Sequence, residues 1–217
     1  IRRDSSPEVK ERFRIDRQRE LLATALRIVT TEGLSALTMP RLAEELDCGI
    51  GTLYRHVPSK DALIAELQRE ALDRILMSFE VSQAHLVDLF ELRRVVDPRR
   101  MALAKAVAGV RFWICAEREM PKEIELLRLM FTDPDLHMEE EDISRSLPVS
   151  MRLLDVARTL VADAAEHGAI GPGPDVLRAI NVVSGTNGVL MTSVLDRWDD
   201  LFNGQALATM LARDLLV

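Results

Sequence analysis

The chain has 217 residues, is 47% hydrophobic, and carries 28 Lys and Arg against 35 Asp and Glu, a net charge of −7. That apolar content can bury a sizeable core in one or two domains, which excludes a disordered or collagen-like chain. The longest apolar runs, such as Phe112 to Ala116, fall far short of the roughly 20 residues a bilayer demands, and the opening "IRRDSSPEVKERF" has no apolar signal core, so no membrane association and a cytoplasmic location are expected.

The charge is divided along the chain. Residues 1–60 hold 11 Lys and Arg against 9 Asp and Glu, a net of +2, which leaves 17 against 26 and a net of −9 for the rest. A basic N-terminal part on an acidic body suits a small module that meets a polyanion, although a chance fluctuation of sign would look the same. The two cysteines, Cys48 and Cys115, have no paired-ligand spacing, so neither a disulfide framework nor a zinc motif is indicated and no cofactor is expected.

In chain order, the leader to residue 15 is expected as a flexible basic arm, with Arg2, Arg3, Lys10, Arg12 and Arg14 able to reach a minor groove. From Arg17 to Glu32 the apolar residues Leu21, Leu22, Ala25, Ile28 and Val29 recur on one helical face, and Gly33 supplies the stop. Thr38 is placed to cap a short second helix with Pro40 in its first turn and Leu42, Ala43 and Leu46 on its apolar face. Asp47 is among the few non-glycine types that enter the left-handed region, and a third short helix can run from Gly49 to Val57. Ser59 then caps a longer fourth helix with Asp61 in its first turn and a stripe of Leu63, Ile64, Leu67, Ala71, Leu72 and Ile75. Helix, short helix, tight turn and short helix form a helix-turn-helix unit, whose second member usually lies in the DNA major groove. Leu53 and Val57 can hold that member inward while Ile50, Gly51, Thr52, Arg55 and His56 project elsewhere.

The stretch "LTMPRLAEELDCGIGTLYRHVPSKDAL" resembles the DNA-binding segment of the TetR family of bacterial repressors, over about residues 16 to 75. It departs from the family pattern at Asp47, where glycine is usual, and at Cys48, where valine is usual. The resemblance implies that Thr38, Tyr54, His56 and Lys60 bind phosphate and that Arg41, Ile50, Gly51, Thr52 and Arg55 sit at or near base edges. The chemistry agrees: hydroxyls and cations position a protein on a duplex, whereas an arginine or a threonine methyl can read a base.

The remainder reads as all-α. Helices are expected over "DPRRMALAKAVAGVRFWICAERE", "PKEIELLRLMF" and "PVSMRLLDVARTLVADAAEHG", closed by Gly168; Pro174 opens another, and "GQALATMLARDLL" finishes the chain. The division expected is an arm at 1–15, a helix-turn-helix domain at 16–60, a connecting helix at 61–80 and a ligand-binding and dimerisation domain at 81–217. Val176, Leu177, Ile180, Val183, Leu190 and Val194, with Leu207, Met210 and Leu211, form stripes that an intermolecular four-helix bundle would bury. Gly185 and Gly188 in that region ask for a close helix approach or a local break.

The resemblance further implies a small-molecule pocket among the middle helices. Met101, Phe112, Trp113, Met130, Phe131, Met151, Asn187 and Met191 are candidate lining, with Arg111 and His137 as polar anchors, although such a stripe is more often plain core. His137 beside Glu139, Glu140 and Asp142 could hold a metal but reads better as a solvated loop, so no metal is expected. The function implied is a homodimeric repressor released from a palindromic DNA operator by a small, mostly apolar effector. A helical adaptor or ligand-binding protein without operator binding is the alternative. No nucleophile motif, metal-binding His pair or phosphate-binding glycine loop supports an enzyme.

Overall fold

The computed structural model describes the backbone of residues 7–132, 140–195, 198–199 and 203–216, and side chains from Asp16 onward with gaps chiefly over 129–150. Among the described residues the chain is helical and contains no strand. The helices are α1 (Pro7–Glu32), α2 (Met39–Glu45), α3 (Ile50–Tyr54), α4 (Lys60–Leu92), α5 (Pro98–Glu119), α6 (Pro121–Thr132), α7 (Glu140–Glu166), α8 (Asp175–Leu190) and α9 (Gly204–Leu216), with 3₁₀ turns at Leu34–Ala36 and Met191–Leu195. They divide into two compact units, Ile1–Ala71 with Glu125–Ser146 and Leu72–Ile124 with Leu147–Val217. The body expected as one continuous stretch from residue 81 therefore gives up a segment to the N-terminal unit.

Three expected boundaries move. The arm expected over residues 1–15 is helical from Pro7, which opens α1 at a position where a missing N–H costs nothing. The fourth helix, expected to end near residue 80, continues to Leu92. Pro148, expected to begin a helix, lies inside α7.

In the N-terminal unit the periodic residues read from the sequence are the core. Leu21, Ala25 and Ile28 of α1, Leu42 of α2, Leu53 of α3 and Leu63, Ile64 and Leu67 of α4 are all buried together. Thr38 caps α2 by accepting from the Arg41 N–H at 3.4 Å, and Ser59 Oγ accepts from the Ala62 N–H at 2.9 Å at the start of α4. Gln68, fully buried on α4, donates through Nε2 to the Leu126 carbonyl of α6 at 3.3 Å. Gly33 ends α1 at φ +87 and ψ 166, beyond the left-handed helical region and in a conformation essentially restricted to glycine.

The turn between α2 and α3 accounts for the two departures from the family pattern. Asp47 takes φ +46, as its type allows, and its N–H donates to the Glu44 carbonyl at 3.1 Å. Cys48 is half-buried against the core as a small apolar group, and its N–H donates to the Ala43 carbonyl at 3.0 Å. Arg17 of α1 braces the turn, donating to the Leu46 carbonyl at 2.9 Å while paired with Glu20 at 2.7 Å. The hydrogen bond to Glu20 leads the effects that push the Arg17 guanidinium above its ordinary value, so it stays protonated.

In the second unit α5 buries Ala102, Ala106, Val110 and Ile114 at four-residue spacing. Ala106, Val110 and Ile114 pack with Val161 and Ala164 of α7, Val182 and Leu190 of α8 and Ala208 of α9. Asp97 caps α5 by accepting from the Arg99 N–H at 3.0 Å. Gly168, at φ +67, closes α7 as expected, with the Ala169 N–H returning to the Ala164 carbonyl at 2.8 Å.

Two outcomes test this account of the head. Replacing Gly33 by Ala meets no neighbour within 4 Å, so its cost is backbone strain alone, expected at about 1–3 kcal/mol in denaturant unfolding. Glu32 is held below its ordinary value of 4.5, chiefly by its hydrogen bond from Arg41. A depressed carboxylate stabilises the fold above its unfolded pKa and loses that contribution as pH falls through the folded one. Melting temperatures of the wild type and Glu32→Gln should therefore differ at neutral pH and converge as the pH falls below the ordinary value of 4.5 and through the lower folded one.

Candidate nucleic-acid interface and cavity

α3 is short, and the register of its few residues decides what the head presents. Leu53 and, just past the helix, Val57 are buried, which turns Ile50, Gly51, Tyr54 and Arg55 outward. Ile50 and Tyr54 are 44% and 47% exposed, a large apolar side chain and an aromatic ring displayed to solvent one helical turn apart. Thr52 is half-buried and accepts from Arg55 Nη2 at 3.1 Å, which holds the guanidinium along the outer face. A Cβ added at Gly49 or Gly51 would meet nothing within 4 Å, so both glycines leave open space on that surface.

Electrostatics separates this face from the rest of the head. Arg17 pairs with Glu20, Arg27 with Glu45, and Arg41 with Glu32 at 2.6 Å and Glu45 at 3.4 Å. Arg55, His56 and Lys60 meet no carboxylate among the described residues. The unneutralised positive charge of the described head therefore gathers around the end of α3 and the start of α4. Lys60 Nζ donates to the Leu34 carbonyl at 3.1 Å, which ties the start of α4 to the 3₁₀ turn after α1. Arg41, expected near base edges, is engaged by two carboxylates and is not a free cation of this face.

The second unit contains an apolar cavity, partly open to solvent, lined by residues of α4, α5, α7 and α8. α7 contributes Leu153, Val156, Ala157, Leu160 and Val161, an i, i+3, i+4, i+7, i+8 face. α5 supplies Ala106, Gly109, Val110, Phe112 and Trp113; α8 supplies Val182, Val183 and Thr186; Phe79 comes from α4. Phe79 and Phe112 meet edge to face, ring centroids 5.3 Å apart. A Cβ at Gly109 would lie 2.8 Å from Leu160 Cδ1, so Leu160 would have to shift to admit one.

Of the expected lining, the structure brings Phe112 and Trp113 to the cavity wall. Asn187 stands just behind it, where Oδ1 accepts from Trp113 Nε1 at 2.5 Å. Met101, Met151 and Met191 do not line it, and Met151 and Met191 are exposed. Arg111, expected as a polar anchor, is exposed and not part of the wall. The side chains of Met130 and Phe131, and all of His137, lie outside the described residues. Among the described residues no group of three or more metal-ligating side chains gathers. Sequence reasoning followed large soft side chains and missed the wall of α7, whose amphipathic spacing was the available signal.

The stripe expected at a dimer contact divides. Val176, Leu177 and Ile180 of α8 and Met210 of α9 are exposed, while Leu207 and Leu211 are half-buried. Leu190 is buried in the core of its own unit and Val183 is half-buried on the cavity wall, so neither is on that exposed face. The Val194 side chain lies outside the described residues. Gly188 is exposed with nothing within 4 Å of an added Cβ. No described helix is long and apolar enough to cross a membrane.

Comparison with known proteins agrees with this geometry. Residues 21–67 match the family model described as "Bacterial regulatory proteins, tetR family". No curated protein sequence matches the chain. Among solved structures, the MbdR regulator of Azoarcus sp. CIB is 21% identical with a TM-score of 0.64, covering 92% of this chain and 97% of that one. The fatty acid degradation regulator FadR of Bacillus halodurans is 14% identical with a TM-score of 0.65, covering 99% and 97%. FadR of Bacillus subtilis, solved with stearoyl-CoA, is 14% identical with a TM-score of 0.64, covering 91% and 97%. Residues 21–67 therefore match the model of the tetR family of bacterial regulators, and the chain along its length shares its fold with these solved regulators.

Proposed function

We propose that the chain is a homodimeric repressor whose heads bind a palindromic DNA operator and release it when a small, mostly apolar molecule occupies the cavity. The observation that carries this reading is the exposed face of α3: Tyr54, Arg55 and His56 outward, Leu53 buried behind them, and no carboxylate neutralising the cations. Tyr54, Thr38, His56 and Lys60 would hold phosphates, and Ile50, Gly51, Thr52 and Arg55 would lie at base edges. Arg41 would join them only by exchanging Glu32 and Glu45 for the duplex.

Release needs a connection between ligand and duplex, and α4 supports one. One helix, α4, begins at Lys60 and carries Phe79, which lines the cavity, 19 residues later. A ligand that displaced Phe79 would act on the same helix that begins with Lys60. The stearoyl-CoA in the Bacillus subtilis neighbour supports an apolar effector here. Two copies are needed because five helical residues reach too few bases, and the exposed Val176, Leu177, Ile180 and Met210 offer the surface on which copies would pair.

Binding to a duplex selected from a random pool tests the head. Tyr54→Ala with Lys60→Ala should weaken it at least about tenfold and make its salt dependence shallower by about one ion, since Lys60 is the cation removed and the neutral Tyr54 hydroxyl releases no counterion. Undiminished binding would remove α3 from the contact. Gly51→Ala is a sharper probe. It should leave stability equal or higher, because helical alanine is favoured by about 1 kcal/mol and space is open, yet weaken the duplex complex. In sedimentation, Leu177→Glu with Ile180→Glu should yield monomers; a dimer that persisted would move the interface elsewhere.

A further inference from the structure

The cavity wall carries an unusual hydroxyl. Thr186 of α8 lines the cavity, is 2% exposed, and its Oγ1 has no hydrogen-bond partner. Threonines in helices ordinarily satisfy the hydroxyl on the preceding turn. Thr24, Thr30, Thr31, Thr159 and Thr209 each donate to the carbonyl four residues earlier, at 2.7 to 2.9 Å. Thr186 does not. A buried hydroxyl without a partner costs about 1–3 kcal/mol, a cost that a bound polar atom would remove.

The rest of the wall narrows what that atom can belong to. No charged side chain is among the lining residues, and the Trp113 indole N–H is already committed to Asn187. An ionised group seated at Thr186, which is 2% exposed, would find no counter-charge, and the desolvation of an unpaired carboxylate there exceeds what one hydroxyl returns. We infer that the cavity takes a neutral, largely aliphatic molecule with a single hydrogen-bonding group, an alcohol or ketone rather than a carboxylic acid, seated with that group on Thr186. This rests on the reading of the cavity as a ligand site and names the chemistry it selects.

The test measures binding directly, without DNA, by quenching of Trp113 fluorescence in a Trp198→Phe background, with decan-1-ol, decan-2-one, n-decane and decanoate as probes at pH 8. The alcohol and ketone should bind, and decanoate should bind at least about a hundredfold more weakly than either. Thr186→Val keeps the shape and removes the hydroxyl. It should weaken the alcohol and ketone about three- to tenfold and leave n-decane unchanged or tighter. Ala157→Leu, which fills the cavity from α7, should abolish binding of all the probes while keeping the melting temperature.

Decanoate binding as tightly as the alcohol, equal affinities in wild type and Thr186→Val, or no binding by any neutral probe would each overturn the inference. Adding the probes to the operator complex separates it from the proposed function. Binding of decan-1-ol without operator release would refute the release mechanism and leave the ligand chemistry standing. Operator release by decanoate alone would do the reverse.

Discussion

The structure depends on the burial of one side of α4. At its start Leu63, Ile64 and Leu67 close the core of the head, and further along Ile75 and Leu76 are buried and Phe79 reaches the cavity wall. A helix of 33 residues could not hold its conformation in water on propensity alone; burial of its apolar stripe supplies the stability that propensity lacks. The same stripe sets which way the first turn faces, so Lys60 stands at the 3₁₀ turn after α1 and α3 shows its polar face outward.

The head illustrates how little chemistry a contact surface needs once register is set. α3 contains five residues, one of them the buried Leu53, and the others are held by core packing rather than by helix propensity. Glycines at 49 and 51 weaken α3 intrinsically while keeping its surface open for a close partner. The charge pattern is selective in a similar way. Most described arginines of the head are neutralised in ion pairs with its own carboxylates, and Arg55 and Lys60, which meet none among the described residues, stand at the end of α3 and the start of α4.

Much of this was legible in the sequence because the head obeys local rules. The stripe of Leu21, Ala25 and Ile28, the Thr38 and Ser59 caps and the positive φ of Asp47 each follow from residue type and spacing. The second unit was harder to read. Phe112 and Trp113 were found by size, but the cavity owes most of its wall to Leu, Val and Ala on α7, residues that look the same in a filled core and in a hollow one. Whether four apolar faces meet or leave a gap is a property of their packing, and Gly109 and Thr186 acquire meaning only once the gap is seen. Helix ends failed where tertiary burial overrode local signals: Pro148 lies within α7, and α4 continues past the residue 80 expected for its end.

The central claim is that this head reads DNA as a paired, charged surface. The most direct measurement is selection of the purified chain against random duplexes, followed by binding isotherms of the enriched sequence at several salt concentrations. The account predicts an enriched inverted repeat and an affinity whose logarithm falls linearly with the logarithm of salt concentration. No enriched sequence, or an affinity indifferent to salt, would contradict it.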